Sequence, residues 1–323
     1  MKLQTKALFN LIRMRKAEGE NLATQPWQVE DLRQVSAGEL FNRLVNLGVK
    51  LDKPSFLRLI DESETPEELA ARFYAGLREA EQDYLYLIIF ELWRKLSAKL
   101  SLSLFCDELD HRIFLYDADI NDSDELVQSV LSQLSDLLSK SMDNKIHPTA
   151  AFLALQQHVA HDLEGFLYDY IFDQIESNNL IYASELLDDF YPFVEGCRWF
   201  DFLRIYLISA SDPQEVDLLI KKLLCSFLTE TDLDLQIEVL KFMVHACSPE
   251  LFLKLLKITL PCLRIENDLK EVLEIAADFF RRLDRDEMEH KISDLLKQRI
   301  DIPLDQEIGT KDPGLLLFFR QFS

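Results

Sequence analysis

His158, His161 and Asp162 have the spacing of a metal site if the segment that carries them is helical. Residues three and four apart share a helix face, and two imidazoles with a carboxylate suit a transition metal. Additional ligands would have to come from His111 or His147 upstream and from Asp169, Asp173 or Asp201 downstream, none of which stands in a distinctive motif. The competing reading of the three residues is a partly exposed polar helix face. A second oxygen-rich run is Asp117-Ala118-Asp119-Ile120-Asn121-Asp122-Ser123-Asp124-Glu125. Alternating oxygen side chains converge on calcium when the loop turns sharply. Here the sixth position is Asp122 rather than glycine, and the twelfth is Gln128 rather than a bidentate glutamate. The simpler expectation is an inter-helix loop in which Asp122 and Glu125 cap the next helix.

Aromatic residues crowd one stretch, from Phe166, Tyr168, Tyr170 and Phe172 through Tyr182, Phe190, Tyr191 and Phe193 to Trp199, Phe200, Phe202 and Tyr206. Their helical spacing makes them core first. Tyr168, Tyr191 and Trp199 are the ones expected to reach a surface groove, where aromatic rings anchor partner peptides. No P-loop, glycine-rich dinucleotide turn, Gly-x-Ser-x-Gly elbow or His-Glu-x-x-His occurs. The 323 residues include only 8 Gly, so glycine-dependent phosphate cradles are hard to build. No catalytic, cofactor-binding or metal residue is assigned from these patterns, and no cofactor is implied.

Helices must position whatever these residues do, since helical periodicity dominates and no strand is convincing. Ser36-Ala37-Gly38-Glu39 is a capping box ahead of Leu40, Leu44 and Leu47, with Gly48 as a stop. Thr65-Pro66-Glu67-Glu68 is another, with proline at the first helical position. One long amphipathic stretch runs through Tyr84, Ile88, Leu92 and Leu96 toward Phe105, and helices near 107–116 and 123–141 follow. The polar segment Lys140 to His147, closed by Pro148, suggests a boundary. Beyond it, helices are expected at about 149–177, 180–190, 193–209, 213–228, 232–246, 249–262, 267–283 and 286–299. The expected organisation is an N-terminal helical subdomain over 1–140, a helical-repeat-like domain over 148–300, and a tail over 301–323 that packs on or near the last helices. The tail's Leu315, Leu316, Leu317, Phe318, Phe319 and Phe322 would cap the final pair or dock elsewhere.

An internal echo supports the repeat. Asp212-Pro213-Gln214-Glu215 and Ser248-Pro249-Glu250 open two helices, and Glu238-Val239-Leu240 recurs as Glu271-Val272-Leu273. Successive hairpins of this size bury each other's apolar faces. In period and layout the region resembles HEAT-like or TPR-like α-solenoid repeats, without the tryptophan, glycine and tyrosine signature positions of TPR. The resemblance implies an all-α fold of antiparallel helical hairpins stacked as an irregular α-solenoid, with no significant β-sheet, and a surface for protein partners. The His161-Asp162 doublet within a helical chain also resembles that of HD-type metal phosphohydrolases, which need more His and Asp ligands on separate helices.

Charge narrows the partner class. The formal net charge is -22, from 35 Lys/Arg and 57 Asp/Glu. Such a surface repels phosphate backbones and anionic lipid, so nucleic acid is not an expected partner. Residues 1–60 hold 10 basic and 6 acidic side chains, a balance of +4, while the rest hold 25 and 51, a balance of -26. The basic head, with Lys2, Lys6, Arg13, Arg15 and Lys16 in residues 1–17, reads as a first core helix docked on the acidic body. Secretion or targeting through that stretch is the less favoured reading. Cys106, Cys197, Cys225, Cys247 and Cys262 are odd in number and form no CxxC, which fits buried free thiols in a reducing, cytoplasmic compartment. No apolar run approaches the roughly 18 residues of a membrane helix. The expectation is therefore a non-catalytic protein–protein interaction protein, a scaffold, adaptor or chaperone-like binder, whose partner presents a basic or amphipathic segment. Its rivals are an HD-like phosphohydrolase through His158, His161 and Asp162 and, more weakly, a calcium-responsive binder through Asp117 to Asn121.

Overall fold

Ser36, Asp52, Thr65, Ser101, Asp212 and Asp232 each stand just before a helix and accept a backbone N–H from its first turn. These local bonds satisfy donors that a helix otherwise leaves open, worth about 1 kcal/mol each. Gly48 closes its helix in the left-handed region, at φ 83°, a conformation glycine takes without steric cost. A computed structural model describes residues 3–120, 123–143, 145–209 and 212–309. Among them the fold is all-α: seventeen α-helices, two short 3-10 turns and no strand. One isolated bridge pairs Ile265 with Glu307. No helix among the described residues is long and apolar enough to cross a membrane.

The helices are α1 (Thr5–Ala17), α2 (Pro26–Val29), α3 (Ala37–Asn46), α4 (Lys53–Asp61), α5 (Pro66–Ala71), α6 (Glu79–Leu96), α7 (Leu102–Asp117), α8 (Ser123–Asp143) and α9 (Pro148–Gln156). They continue as α10 (Leu163–Glu176), α11 (Leu180–Phe190), α12 (Cys197–Ile208), α13 (Pro213–Ser226), α14 (Leu233–Ala246), α15 (Pro249–Thr259), α16 (Glu266–Arg282) and α17 (Asp286–Gln298). The chain forms two compact units, Met1–Leu167 with Pro192–Glu195 and Tyr168–Tyr191 with Gly196–Ser323. The polar Lys140–His147 segment joins α8 to α9 inside the first unit, because those two helices pack together.

In the first unit α6 is the central element. Leu85 through Trp93 are all buried, so this helix is wrapped on every side rather than amphipathic. Helices α3 and α5 and the turn Leu32–Gln34 pack on it. The long helix expected to run on toward Phe105 ends at Leu96 instead. Ser97 is extended, its Oγ accepts Lys99 N–H at 2.9 Å, and the Trp93 indole donates to the Lys99 carbonyl at 2.9 Å. Ser101 then starts α7 afresh. Helix α1 docks on α7 and buries Ala7, Phe9 and Asn10.

In the second unit α12 packs on α13, α14 on α15 and α16 on α17, while α14 lies between α12 and α16 and α13 meets α15. The helices that echo in sequence therefore lie against each other, and Val239, Leu240, Val272 and Leu273 are all fully buried. Phe252 stacks on Phe279 at 3.7 Å between ring centres. The described tail residues return to the start of α16: Glu266 and Asn267 donate to the carbonyls of Gln306 and Leu304, and Ile308 donates to that of Arg264. Arg299 grips the buried Glu266 through two bonds of 2.8 and 2.6 Å. The apolar run Leu315 to Phe322 lies outside the described residues.

Candidate functional site

The proposed metal helix does not exist. Helix α9 stops at Gln156 and α10 begins at Leu163, leaving His158, His161 and Asp162 on the link between them. The cause is Asp110 on α7. Its carboxylate accepts the backbone N–H of Ala160 at 2.9 Å and of His161 at 3.2 Å, and lies 2.8 Å from His161 Nδ1. Those amides are unavailable to a continuing helix. Asp162 turns to Gly165, where its Oδ2 lies 2.9 Å from the place a Cβ would occupy. Among the described residues, no three His, Cys, Asp or Glu side chains are placed to hold a metal ion. In the acidic run, Asp119 sits at φ 50° just past the end of α7. Asp119 and Ile120 donate back to the carbonyls of Tyr116 and Leu115, a left-handed helix stop. Gln128 donates to Asp124 at 2.7 Å, one turn back on α8. Asn121 and Asp122 lie outside the described residues.

Asp107 and Asp110 were not visible as special in sequence; the available signal was acidic residues on the apolar side of α7. Asp107 is 3% exposed. Its carboxylate meets Lys6 at 2.8 Å, Arg33 at 2.7 Å and Arg94. Burial works to raise its pKa, but Lys6, Arg94 and Arg33 prevail and hold it well below the usual carboxylate range. Arg33 and Arg112 continue to Glu108 at 2.9 and 2.5 Å, and Arg94 also holds Glu91 at 3.1 Å. This network ties α1, α6 and α7 together around Asp107.

An open groove of about 700 Å³ lies on the second unit, lined by α10, α12 and α14. Each helix contributes one face. Tyr168 and Phe172 come from α10; Trp199, Phe202 and Tyr206 from α12; Glu238, Phe242 and His245 from α14, with Lys241 beside them. The α14 residues follow i, i+3, i+4 and i+7 spacing, on a face away from its buried Val239, Leu240 and Met243. The rings interlock, three pairs edge to face and Phe242–Tyr206 tilted. Tyr168 meets Trp199 at 5.2 Å, Phe172 meets Tyr206 at 5.0 Å, and Phe242 contacts both Phe202 and Tyr206. Their polar tips are tethered: Trp199 donates to Asp232 at 3.0 Å and Tyr206 to Glu176 at 2.7 Å. Burial, with the bond to Glu176, pushes the Tyr206 phenol up to about 12. Burial together with the nearby Glu238 likewise raises Tyr168.

Tyr168 and Trp199 thus reach a groove as the sequence suggested. Tyr191 does not line it: its ring lies under Arg204 at 4.9 Å and its hydroxyl donates to Asp201 at 2.9 Å. Phe242 and its neighbours on α14 were missed because they fall outside the aromatic-rich stretch.

Two side chains of reactive type stand at the groove. Ser209 and His245 both line it, yet Ser209 Oγ donates to the Tyr206 carbonyl at 2.7 Å and His245 Nδ1 faces Arg282. They do not make a nucleophile–base pair. Nor are Cys106 and Cys247 activated. Burial raises the Cys106 thiol and pushes Cys247 up to about 12, leaving both protonated. Of the five free thiols only Cys106 is fully buried; Cys225 is exposed, which corrects the expectation of buried thiols throughout. Comparison with protein-family models, with curated proteins and with solved structures finds no match for this chain.

Proposed function

We propose that this chain is a non-catalytic protein-binding protein that docks an amphipathic segment of a partner in the groove of α10, α12 and α14. The observation that carries the reading is the set of half-buried, interlocked rings from three alternate helices, around an opening of about 700 Å³. That volume lies in the range of ligand-sized clefts. Aromatic residues dominate binding energy at protein interfaces, and rings already held in place lose little entropy on binding. The net charge of -22 favours a partner segment with basic residues.

The test is affinity capture from the native cell with the wild-type chain and with Phe242→Ala. A groove-bound partner is retained by the wild type and lost in the variant, an effect of about 30-fold for a central aromatic anchor. Its retention also falls as salt rises. An identical set of retained proteins in the folded variant would overturn the groove. A stoichiometric transition metal in protein purified without chelator would overturn the non-catalytic reading.

A further inference from the structure

Among the described residues, Lys241 is the only lysine or arginine on the groove's lining, and its ion pairs are with carboxylates that flank it. Its ammonium lies 2.6 Å from Glu238 and 2.8 Å from Glu271 of the neighbouring helix α16. Burial opposes that charge, yet the two glutamates keep its pKa above the ordinary lysine value. All three side chains are about 40% exposed, at 43%, 43% and 37%. The pairs are thus within reach of an incoming charge and weak in solvent. On the same lining stand the rings of Tyr168, Trp199, Tyr206 and Phe242. Two of these rings have their polar edges pulled toward carboxylates, Asp232 and Glu176. A carboxylate accepting the edge proton of a ring enriches its π face, and aromatic faces attract cations, most of all when solvent is excluded.

Resting on the docking role proposed above, we infer that the groove is a recognition site for a cationic side chain, an arginine flanked by apolar residues in the partner segment. Lys241 is its resident counter-ion. On binding, the guanidinium lies against the ring faces and takes over Glu238, and Lys241 retires to Glu271. The exchange keeps charge balanced, since one cation replaces another at one carboxylate. Arginine fits better than lysine because its planar fork stacks on rings while hydrogen-bonding a carboxylate.

The inference has an outcome of unusual sign: removing a lysine from the groove should tighten binding of a cationic ligand. The probe is a 14-residue amphipathic peptide of leucine and arginine carrying a fluorophore, with a twin in which citrulline replaces every arginine. Anisotropy is read on the full chain. The arginine peptide should bind roughly tenfold tighter than the citrulline twin. Lys241→Met should tighten the arginine peptide about threefold and leave the twin unchanged, while Glu238→Gln should weaken it by a similar factor. Equal binding of the two peptides, lost in Phe242→Ala, would overturn the cation site and leave the apolar docking groove standing. Tighter binding of the arginine peptide that neither Lys241→Met nor Glu238→Gln moves would place the cation on the general acidic surface and overturn the inference. Binding of neither peptide would overturn the inference together with the docking role it rests on.

Discussion

Two clusters of this molecule contain acids and bases in contact, and they behave in opposite ways. Around Asp107 in the first unit, Lys6, Arg33 and Arg94 converge on one carboxylate that is 3% exposed. Around Lys241 in the second, one ammonium is shared by two half-exposed glutamates on a groove lined by aromatic rings. The Asp107 carboxylate has been taken out of water and paired internally, so removing it strands three cations. The second remains in contact with solvent, so its partners are exchangeable. Both clusters are built of charged residues, but only the second is centred on ions that an incoming charge can reach, as the proposed site requires. Burial, rather than residue type, separates a closed ion pair from an open one.

The sharpest way to break the comparison is Asp107→Asn. It removes the anion from three converging cations and should destabilise the first unit by about 3–5 kcal/mol. Denaturant unfolding followed through the buried Trp93 reads it, in a background where Trp27 and Trp199 are phenylalanine. A loss under about 1 kcal/mol would mean that Glu91 and Glu108 take over the cations, and that the cluster is no more committed than the groove.

Acid gives the next largest effect, and its direction follows from Asp107. The folded pKa is depressed, so the native state binds its proton later than the unfolded chain does. Its stabilisation is complete above the unfolded carboxylate value of about 3.9 and drains as pH falls from there through the folded value. Glu108, whose burial is outweighed by Arg33, is depressed too and adds in the same sense. The melting temperature should therefore fall steeply below about pH 4, and the fall should be shallower in Asp107→Asn. Parallel acid profiles for the two proteins would show that Asp107 is not the group that titrates.

Tyr206→Phe sharpens the other side of the comparison with the smallest change. It removes only the hydroxyl that donates to Glu176 at 2.7 Å. A partly exposed bond of this kind contributes about 1 kcal/mol or less. The variant should keep its thermal midpoint within a few degrees and weaken the arginine peptide by a few-fold, because the ring is less firmly held and its face less electron-rich. Unchanged peptide affinity would show that the ring's tether has no part in binding.

Much of the fold was legible in the chain because its signals are local. Ser36, Thr65 and Asp212 cap helices through bonds to residues two or three positions on. The Glu-Val-Leu echo marks two helices that face one another because each repeats the same buried pair. The candidate groove was half legible. Tyr168 and Trp199 stood out by their density of neighbouring aromatics, whereas Phe242 reaches the same opening from a separate helix and Tyr191 is drawn aside by Arg204 and Asp201. His158, His161 and Asp162 misled for a definite reason. Their helical spacing is real in the sequence, but Asp110, 51 positions before His161, takes the amides that would have continued the helix.

By itself, then, the sequence determined an all-α chain, the starts of its helices, the two-helix repeat toward its C-terminal half and the acidic character of its surface. Those depend on hydrogen bonds and periodicities spanning one or two helical turns, and on composition. Only the tertiary structure decided which carboxylates are buried and which are open. Arg33 reaches Asp107 across 74 positions and Asn10 reaches it across 97, while Lys241 finds Glu271 only because two repeats stack. Desolvation and Coulomb attraction depend on distance in space, and chain folding sets that distance independently of spacing along the sequence.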